Sequence, residues 1–531
     1  MMPHILPVAL FFGTGIVYLL TRRVQKAKGI WVDVPVVGGK TMLASWITAF
    51  RYTRHARALV EEGYKKHKDY AFQIPSLSGW RIFICNPAMI KEYRNLDSDQ
   101  MSLNPIIDDL FQTMYTMHGG ADSIHKIPIP TVTRGLNWQR KKAEIKDDNY
   151  FVEFVNEGKY ALTTKLRIAD NSGWTPIPCF DICAEVVTHL TAWTGGAYKR
   201  IFYFELSKLP ETVGDPTYGS DMEYHSDSTD HDVDSLAALM CAAPRVSRRL
   251  EHEVSEVLTQ KRVLGVMDAK DLAGWMMDWV DNNAASRLND QSICLQIVSL
   301  SFAAIHSSAQ VLTHCLYEIS LRSEYVLPLR EEIEKCLRKS GGWNKVAIES
   351  MQKLDSFIKE CQRYNTMDSG TNLTDRPGKP ASYMTHILTA SPAGSLARRV
   401  KKDLIFSGGL VIPSGNDIFS PNTPALFDKN MYSDPDRFDG FRFYRMRKQV
   451  GQNESHKLIS TSPTYLNFGD GRHVCPGRYM AADMMRLVLA HIIMHYDVAI
   501  KDHGPRPANR TFKTFLLPDM TAEIMLRHRC S

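Results

Sequence analysis

The sequence predicts a mainly α-helical protein with small β-sheets. Residues 41 to 68 have the pattern of a helix, and Tyr479 to His495 repeats Met, Leu, Val and Ile at helical spacing. Between them, Ser292 to Leu321 is a long apolar stretch that would span about 45 Å as a helix. Its polar residues, among them Gln296 and His314, are too many for a segment in lipid, so we expect a buried central helix.

Three shorter stretches predict the strands. Tyr70 to Cys85 alternates around a Gly-Trp turn, and Leu396 to Pro413 has the pattern of two short strands with Gly408 and Gly409 between them. Thr511 to Leu526 is expected to form a β-hairpin. A small sheet near the N-terminus is therefore expected.

The composition excludes several classes of function. The 531 residues are 44% hydrophobic and 23% charged, as in ordinary globular proteins, and the net charge of +6 is spread along the chain. The sequence shows no basic stripe of the kind that binds nucleic acid. The 10 cysteines form no C-x-x-C pair, which indicates a reducing compartment rather than a disulfide framework.

The N-terminus has the pattern of a membrane signal anchor. Ile5 to Leu20 is apolar and uncharged, and basic residues follow it at Arg22, Arg23, Lys26 and Lys28. A cleaved signal peptide would carry its basic residues before the apolar run. Because positive flanks stay cytoplasmic, the bulk of the chain should lie in the cytosol.

The predicted organisation has three parts. Residues 1–21 are a single-pass anchor, residues 22–40 are a basic hinge with proline and glycine, and residues 41–531 form the main body of the chain.

The most informative stretch is FGDGRHVCPG, residues 468 to 477, which places Cys475 on a glycine-rich turn before a predicted helix. Backbone N–H groups at a helix N-terminus favour a thiolate over a thiol. Gly469 allows the turn to fold tightly, and Gly477 removes a side chain where a flat ligand could lie. His473 offers a hydrogen-bond donor to an acidic group on such a ligand.

A haem meets these requirements, because its iron takes the thiolate, its porphyrin face needs the glycine and its propionates need a donor. The alternative is a buried structural cysteine, the usual state of a single Cys. Together with Phe468, the pattern favours haem b with Cys475 as the iron ligand.

The stretch resembles the Cys-loop signature F-G-x-G-x-H/R-x-C-x-G of cytochrome P450 haem-thiolate monooxygenases at every fixed position. The resemblance implies a single, mostly α-helical catalytic domain with haem between two long helices. It also implies that Phe468, Gly469, His473 and Gly477 belong to the cofactor site and that Cys475 is its axial ligand.

The predicted central helix carries the sequence AAIHS at residues 303 to 307, which is similar to the family's oxygen-activating A-G-x-D/E-T. Small residues there would let oxygen and substrate approach the iron, and a hydroxyl would relay protons. His306 replaces the acid and Ser307 the threonine, as in fungal members related to the ent-kaurene oxidases. His306 could instead be a satisfied core residue. The resemblance makes His306 and Ser307 the candidates for proton delivery.

Glu360 and Arg363 form an E-x-x-R motif with both charges on one helix face. In the family this pair is buried and bonds a third arginine on the Cys-loop side of the haem. Aligning the end of DPDRFDGFRF, residues 434 to 443, with the family's F-x-P-E-R-F nominates Arg442 for that role. Arg437 is the alternative.

The sequence leaves the other propionate-binding residues open. Arg398 lies where the family often places such an arginine, and Arg399 is equally available. Trp138 and Lys142 have the spacing of the family's W-x-x-x-R helix, with lysine in place of arginine. An amphipathic basic helix would explain the same two residues.

The resemblance implies an endoplasmic reticulum monooxygenase that uses O2 to oxidise a bulky hydrophobic, terpenoid-like substrate of secondary metabolism. Electrons would come from NADPH-cytochrome P450 reductase in the same membrane, since the sequence carries no flavin motif. Arg472 and Arg478 could contribute to the docking face for this partner.

Two alternatives remain open. The first is an O2-independent haem-thiolate isomerase or dehydratase, because the central-helix motif departs from the family. The second is a catalytically degenerate, membrane-anchored haem binder, because residues 193–241 are polar and acidic where the family has two apolar helices over the substrate pocket.

Overall fold

A computed structural model describes residues 32–39, 41–77, 79–111, 150–166, 173–195, 254–263, 272–366, 395–512 and 515–529, and the single residues 127, 132, 168 and 252. The predicted anchor, Trp138, Lys142 and residues 196–241 lie outside the described residues.

Helices dominate the described part of the chain. They are α1 (Met42–His67), α2 (Pro87–Tyr93), α3 (Asn104–Phe111), α4 (Tyr150–Leu166), α5 (Cys179–Gly195), α6 (Leu272–Asn282), α7 (Asp290–Leu321), α8 (Val326–Ser340), α9 (Lys345–Glu349), α10 (Gln352–Tyr364), α11 (Asn422–Leu426), α12 (Arg442–Arg447) and α13 (Arg478–His495). The helices predicted from sequence correspond to α1, α7 and α13.

The central helix α7 is buried in the protein. It packs against α5, α10 and α13, and Ile305, Leu312 and Cys315 on it are at most 1% exposed. Its buried amides have protein partners, since Gln296 exchanges hydrogen bonds with the backbone of Ile127. Among the described residues, α7 is the one helix long and apolar enough to cross a membrane, but its place is the protein core.

The strands form one larger and several small sheets. They are β1 (Ala71–Ser76), β2 (Gly79–Ile84), β3 (Met101–Ser102), β4 (Thr175–Pro178), β5 (Ser395–Val400), β6 (Leu404–Ile405), β7 (Val411–Ile412), β8 (Asp417–Ser420), β9 (Tyr496–Ile500), β10 (Arg510–Phe512), β11 (Phe515–Leu517) and β12 (Glu523–His528). The five-stranded sheet has the order β1-β2-β8-β5-β3, with β2 and β8 parallel. A three-stranded sheet has the order β4-β12-β9.

The strands differ from the sequence prediction in two places. Residues 396–413 contain parts of three strands rather than two, because β5 pairs with β8 while β6 and β7 form a separate hairpin. Gly409 reverses the chain in that hairpin with φ +84°, a conformation that glycine adopts freely. At the C-terminus, the predicted hairpin is β10 with β11, and the following strand β12 joins β9 instead.

Candidate active site

The Cys loop, residues 468–477, is a tight turn closed by its own backbone. The N–H of Cys475 donates to the carbonyl of Phe468 at 2.8 Å, and residues 471–473 form one 3-10 turn between them. Gly469 has φ +70° and Gly471 has φ +67°, so both positions favour glycine. Helix α13 begins at Arg478, three residues after the cysteine.

The sulfur of Cys475 lies in a half-buried position at the start of α13. Burial raises the pKa of the thiol, and the N–H groups of Gly477 and Arg478 and the charge of Arg478 lower it by less. The donors expected from the sequence are therefore present, and in the protein without a ligand burial outweighs their effect on the pKa of the thiol. A metal cation bound to the sulfur would favour the anion.

There is open space beside this helix start. A Cβ added to Gly477 would meet no atom of the described residues within 4 Å, so no neighbour in that part of the chain accounts for the glycine. Phe468 is half-buried and packs against the main core. A flat ligand against the loop would find room on this side.

Arg398 and Arg399 on β5 have different surroundings. Arg399 bonds Asp417 at 2.7 Å and Asp109 at 2.9 Å, so it joins parts of the sheet and α3. Arg398 is 6% exposed, and the bond recorded for its guanidinium is to the carbonyl of Ala397 at 2.6 Å. Among the described residues it has no carboxylate partner, so a buried cation is left for an anionic ligand.

His473 lies near this cation. Partial burial and the charge of Arg398 lower the pKa of His473, and its Nε2 is 3.4 Å from the carbonyl of Leu96. The two residues are 75 positions apart in sequence and are brought together by the fold. The fold thus places a buried cation near a histidine of the Cys loop.

The motif at residues 303–307 lies on a less buried face of α7. Ala303 is exposed and Ala304, His306 and Ser307 are half-buried, although most of the neighbouring helix is buried. The hydroxyl of Ser307 donates to the carbonyl of Ala303 at 2.8 Å, which leaves its oxygen free to accept a hydrogen bond. Burial lowers the pKa of His306, so its imidazole is neutral near pH 7.

The E-x-x-R motif forms a buried ion triad. Arg363 donates to both carboxylate oxygens of Glu360 at 2.8 Å, and Nε of Arg442 lies 3.1 and 3.2 Å from the same oxygens. Glu360 and Arg363 are 0% exposed and Arg442 is 5% exposed. Arg437 is exposed and reaches the triad through its backbone carbonyl, which accepts from Arg442 at 2.9 Å.

A second charged cluster lies on the same helix and was not predicted from the sequence. Asp355 accepts hydrogen bonds from Arg486 of α13 and from Arg447 of α12, at 2.9 and 3.0 Å. It also accepts from the N–H of Leu458 at 2.9 Å. The i, i+4, i+8 spacing of Asp355, Lys359 and Arg363 could have indicated a charged cluster in the sequence. Such spacing is equally typical of a solvent-exposed helix face.

Lys359 connects this helix to the segment that precedes the Cys loop. Its ammonium is buried and donates to the carbonyls of Lys457 and Ser460 at 2.6 and 2.9 Å. It also lies 4.2 Å from the centre of the Tyr465 ring. The segment from 457 to 465 is thus held by hydrogen bonds from a buried lysine side chain.

Stability should depend on pH through Lys359. Burial lowers its pKa from 10.5 to about 7, so between these values the unfolded chain binds a proton that the folded protein does not. Folding stability contributed by this group therefore rises with pH across the window, by at most about 1.4 kcal/mol per pH unit. Chemical denaturation at several pH values should therefore show that the free energy of unfolding rises less with pH, or falls more, in Lys359→Met than in wild type. Lys457→Met, at a half-exposed side chain, should keep the wild-type slope, and equal slopes in all three proteins would contradict the prediction.

The residues around the Cys loop fit a haem. The cysteine at the helix start, the open space at Gly477, a buried guanidinium without a carboxylate among the described residues and a nearby histidine match an iron, a porphyrin face and propionates. Fold and site together define a haem-thiolate protein.

Comparisons with known proteins agree with this class. The profile of the family described as Cytochrome P450 matches residues 267–372 and 389–526. Cytochrome P450 monooxygenase janQ of Penicillium janthinellum is 41% identical over 96% of this chain and 96% of its own. Monooxygenase atmQ of Aspergillus flavus is 41% identical over 97% of this chain and 92% of its own. The chain belongs to the cytochrome P450 family and is a haem-dependent monooxygenase.

Solved structures show the same fold. The crystal structure of the cytochrome P450DA haem domain superimposes with a TM-score of 0.64 at 15% sequence identity, covering 94% of this chain and 97% of that one.

Proposed function

We propose that the protein is a membrane-anchored monooxygenase that hydroxylates or successively oxidises a bulky hydrophobic, terpenoid-like substrate in secondary metabolism. The observation that carries the proposal is the Cys loop, with open space at Gly477, two residues after Cys475, and the buried Arg398 of the five-stranded sheet near its His473. Haem bound there supplies the activation of O2 and the transfer of one oxygen atom to the substrate.

Each side chain of the site has a proposed role toward the haem. Cys475 holds the iron, and Arg398 and His473 bind propionate. Phe468, Gly469 and Gly477 shape the proximal side, and Trp138 and Lys142, outside the described residues, are proposed as further propionate partners.

His306 and Ser307 are proposed to move protons to the oxygen-binding side. A neutral imidazole can donate from one nitrogen and accept at the other, and the Ser307 oxygen has a free lone pair on the less buried face of α7. Ala303 and Ala304 leave space beside them for substrate and oxygen.

Electrons are proposed to come from NADPH-cytochrome P450 reductase. Of the two arginines considered for its docking face, Arg472 is exposed and pairs with Asp97. Arg478 is half-buried and donates to the carbonyl of Cys475 at 2.9 Å. Arg472 is therefore better placed to meet a partner, and Arg478 stabilises the loop.

Reconstitution with the reductase tests the function. Full-length protein in lipid vesicles should convert a terpenoid substrate only with both NADPH and O2, and the product should gain oxygen from 18O-labelled O2. Turnover without O2 and reductase would instead establish an isomerase or dehydratase. A normal carbon monoxide spectrum with no change in ferric spin state for any terpenoid tested would indicate a haem binder without this activity.

The proposed location is the endoplasmic reticulum membrane, with the domain in the cytosol. Besides the apolar N-terminal run, α1 carries exposed Leu43 (73%), Ile47 (53%) and Phe50 (58%), with Trp46 between them. This spacing places the four side chains on one helix face. Residues 41–60 contain no acidic residue, so the helix suits a lipid surface with anionic headgroups.

Brominated lipids test this contact. The fluorescence of Trp46 is the difference between the signals of wild type and Trp46→Phe. In full-length protein on vesicles of brominated phosphatidylcholine and phosphatidylserine, this difference should be strongly quenched. The triple change Leu43→Ser, Ile47→Ser and Phe50→Ser should remove the quenching, whereas Leu327→Ser, at a residue 65% exposed on α8, should not. Unquenched Trp46 in otherwise wild-type protein would exclude the contact.

A further inference from the structure

The chain segment at the C-terminal end of α2, residues 93–97, contacts the Cys loop and the strands next to it. Its five consecutive residues each make a recorded contact with one of these parts. No motif of the sequence analysis includes this segment.

The strongest contact is between Arg94 and Asp470. Asp470 lies in the Cys loop between its first two glycines, and its side chain is 6% exposed. Nη1 of Arg94 donates to its carboxylate at 2.5 Å, and the hydroxyl of Thr461 donates at 2.9 Å. Because a buried carboxylate needs a compensating charge, the loop depends on an arginine 376 residues away.

Backbone contacts place the loop directly against the segment. The N–H of Arg472 lies 3.2 Å from the carbonyl of Arg94 and 3.2 Å from Oδ1 of Asn95. A Cβ on Gly471 would lie 2.6 Å from each of these two oxygens. Close approach, as well as its positive φ, therefore explains the second glycine of the loop.

The preceding residue, Tyr93, contacts the sheet that carries Arg398. Its hydroxyl is 2.6 Å from Oγ of Ser420 on β8 and 3.4 Å from the carbonyl of Leu396 on β5. Neighbouring residues of one segment thus contact both the Cys loop and β5, the strand that carries Arg398.

We propose that residues 93–96 are a positioning element, which holds the Cys loop against β5 so that Cys475 and Arg398 can bind the same haem. The Arg94–Asp470 ion pair is its main contact. The proposal rests on the proposed roles of Cys475 and Arg398.

The test uses full-length protein and the carbon monoxide spectrum of its reduced form. Arg94→Met should lower the fraction absorbing as thiolate-ligated haem by about tenfold or more, because it leaves a buried carboxylate without its counter-charge. Arg94→Lys should retain most of the thiolate band. The double variant Arg94→Met with Asp470→Asn should recover relative to Arg94→Met alone, because it leaves no unpaired buried charge.

Asp97→Asn is the matched control on the same segment. It breaks the Arg472–Asp97 pair, whose side chains are 58% and 55% exposed, and exposed pairs contribute little. Its spectrum should equal that of wild type. The rate of haem transfer to apomyoglobin gives a second readout, which should rise in Arg94→Met and stay unchanged in Asp97→Asn.

The outcomes separate this inference from the proposed function. A wild-type thiolate fraction in Arg94→Met overturns the positioning role. If Arg94→Met does not accumulate as folded protein, the double variant Arg94→Met with Asp470→Asn decides. Its failure to accumulate would overturn the role of the Arg94–Asp470 pair, and its accumulation would support that role. If Cys475→Ala loses the thiolate band and Arg94→Met keeps the wild-type band, the proposed function is supported and only the positioning role of this segment is wrong.

Discussion

Replacing Cys475 with alanine should abolish the thiolate absorption band of the reduced, carbon monoxide-bound protein. Burial raises the pKa of this thiol, while the N–H groups of the loop and a bound metal cation favour the anion. Alanine has no atom that can bind iron, and the loss of the band should be complete. Activity that depends on O2 should be lost with it.

The control is a cysteine with similar exposure elsewhere. Cys336 on α8 is also half-buried, and Cys336→Ala should leave the band unchanged. Cys475→Ala should still fold, because the hydrogen bond from its backbone N–H to the carbonyl of Phe468, which closes the loop, does not involve the sulfur. An unchanged band in Cys475→Ala would mean that another residue holds the iron.

Breaking the ion triad should have the second largest effect. Glu360→Gln leaves Arg363 and Arg442 without a buried counter-charge, which costs about 3 to 5 kcal/mol of folding stability. Arg442→Met should destabilise to a similar degree, since it also carries hydrogen bonds to the carbonyls of Asp434 and Arg437 at 3.1 and 2.9 Å. Urea unfolding followed by tryptophan fluorescence measures both changes.

Arg437→Met separates the two arginines that the sequence left open. Its side chain is exposed, so removing it should change stability by less than about 0.5 kcal/mol. Equal destabilisation by Arg437→Met and Arg442→Met would contradict the role of Arg442 in the triad.

Several elements could be predicted from the sequence because their signals are local. The glycines of the Cys loop have the positive φ angles that a tight turn requires, and α7 and α13 begin and end close to their apolar patterns. The match of the loop to the family signature also predicted the family that the comparisons show. Such features depend on residues that are near one another in the chain.

Other features could not be derived in this way. Arg398 and Arg399 are neighbours in sequence, and only the carboxylates of Asp417 and Asp109 on adjacent elements distinguish them. The same holds for the pKa of Cys475, where the local donors indicated a thiolate but burial by the surrounding chain decides the direction.

The sequence by itself determined the family, the Cys loop and the helices α7 and α13, because short-range spacing sets backbone conformation and the apolar face of each helix. Tertiary structure alone decided which charges are paired and which are left for a ligand. Arg94 and Asp470 are 376 residues apart, and their contact exists only because α2 packs beside the Cys loop. Charge pairing in a core depends on distance and burial, and neither is encoded by sequence separation.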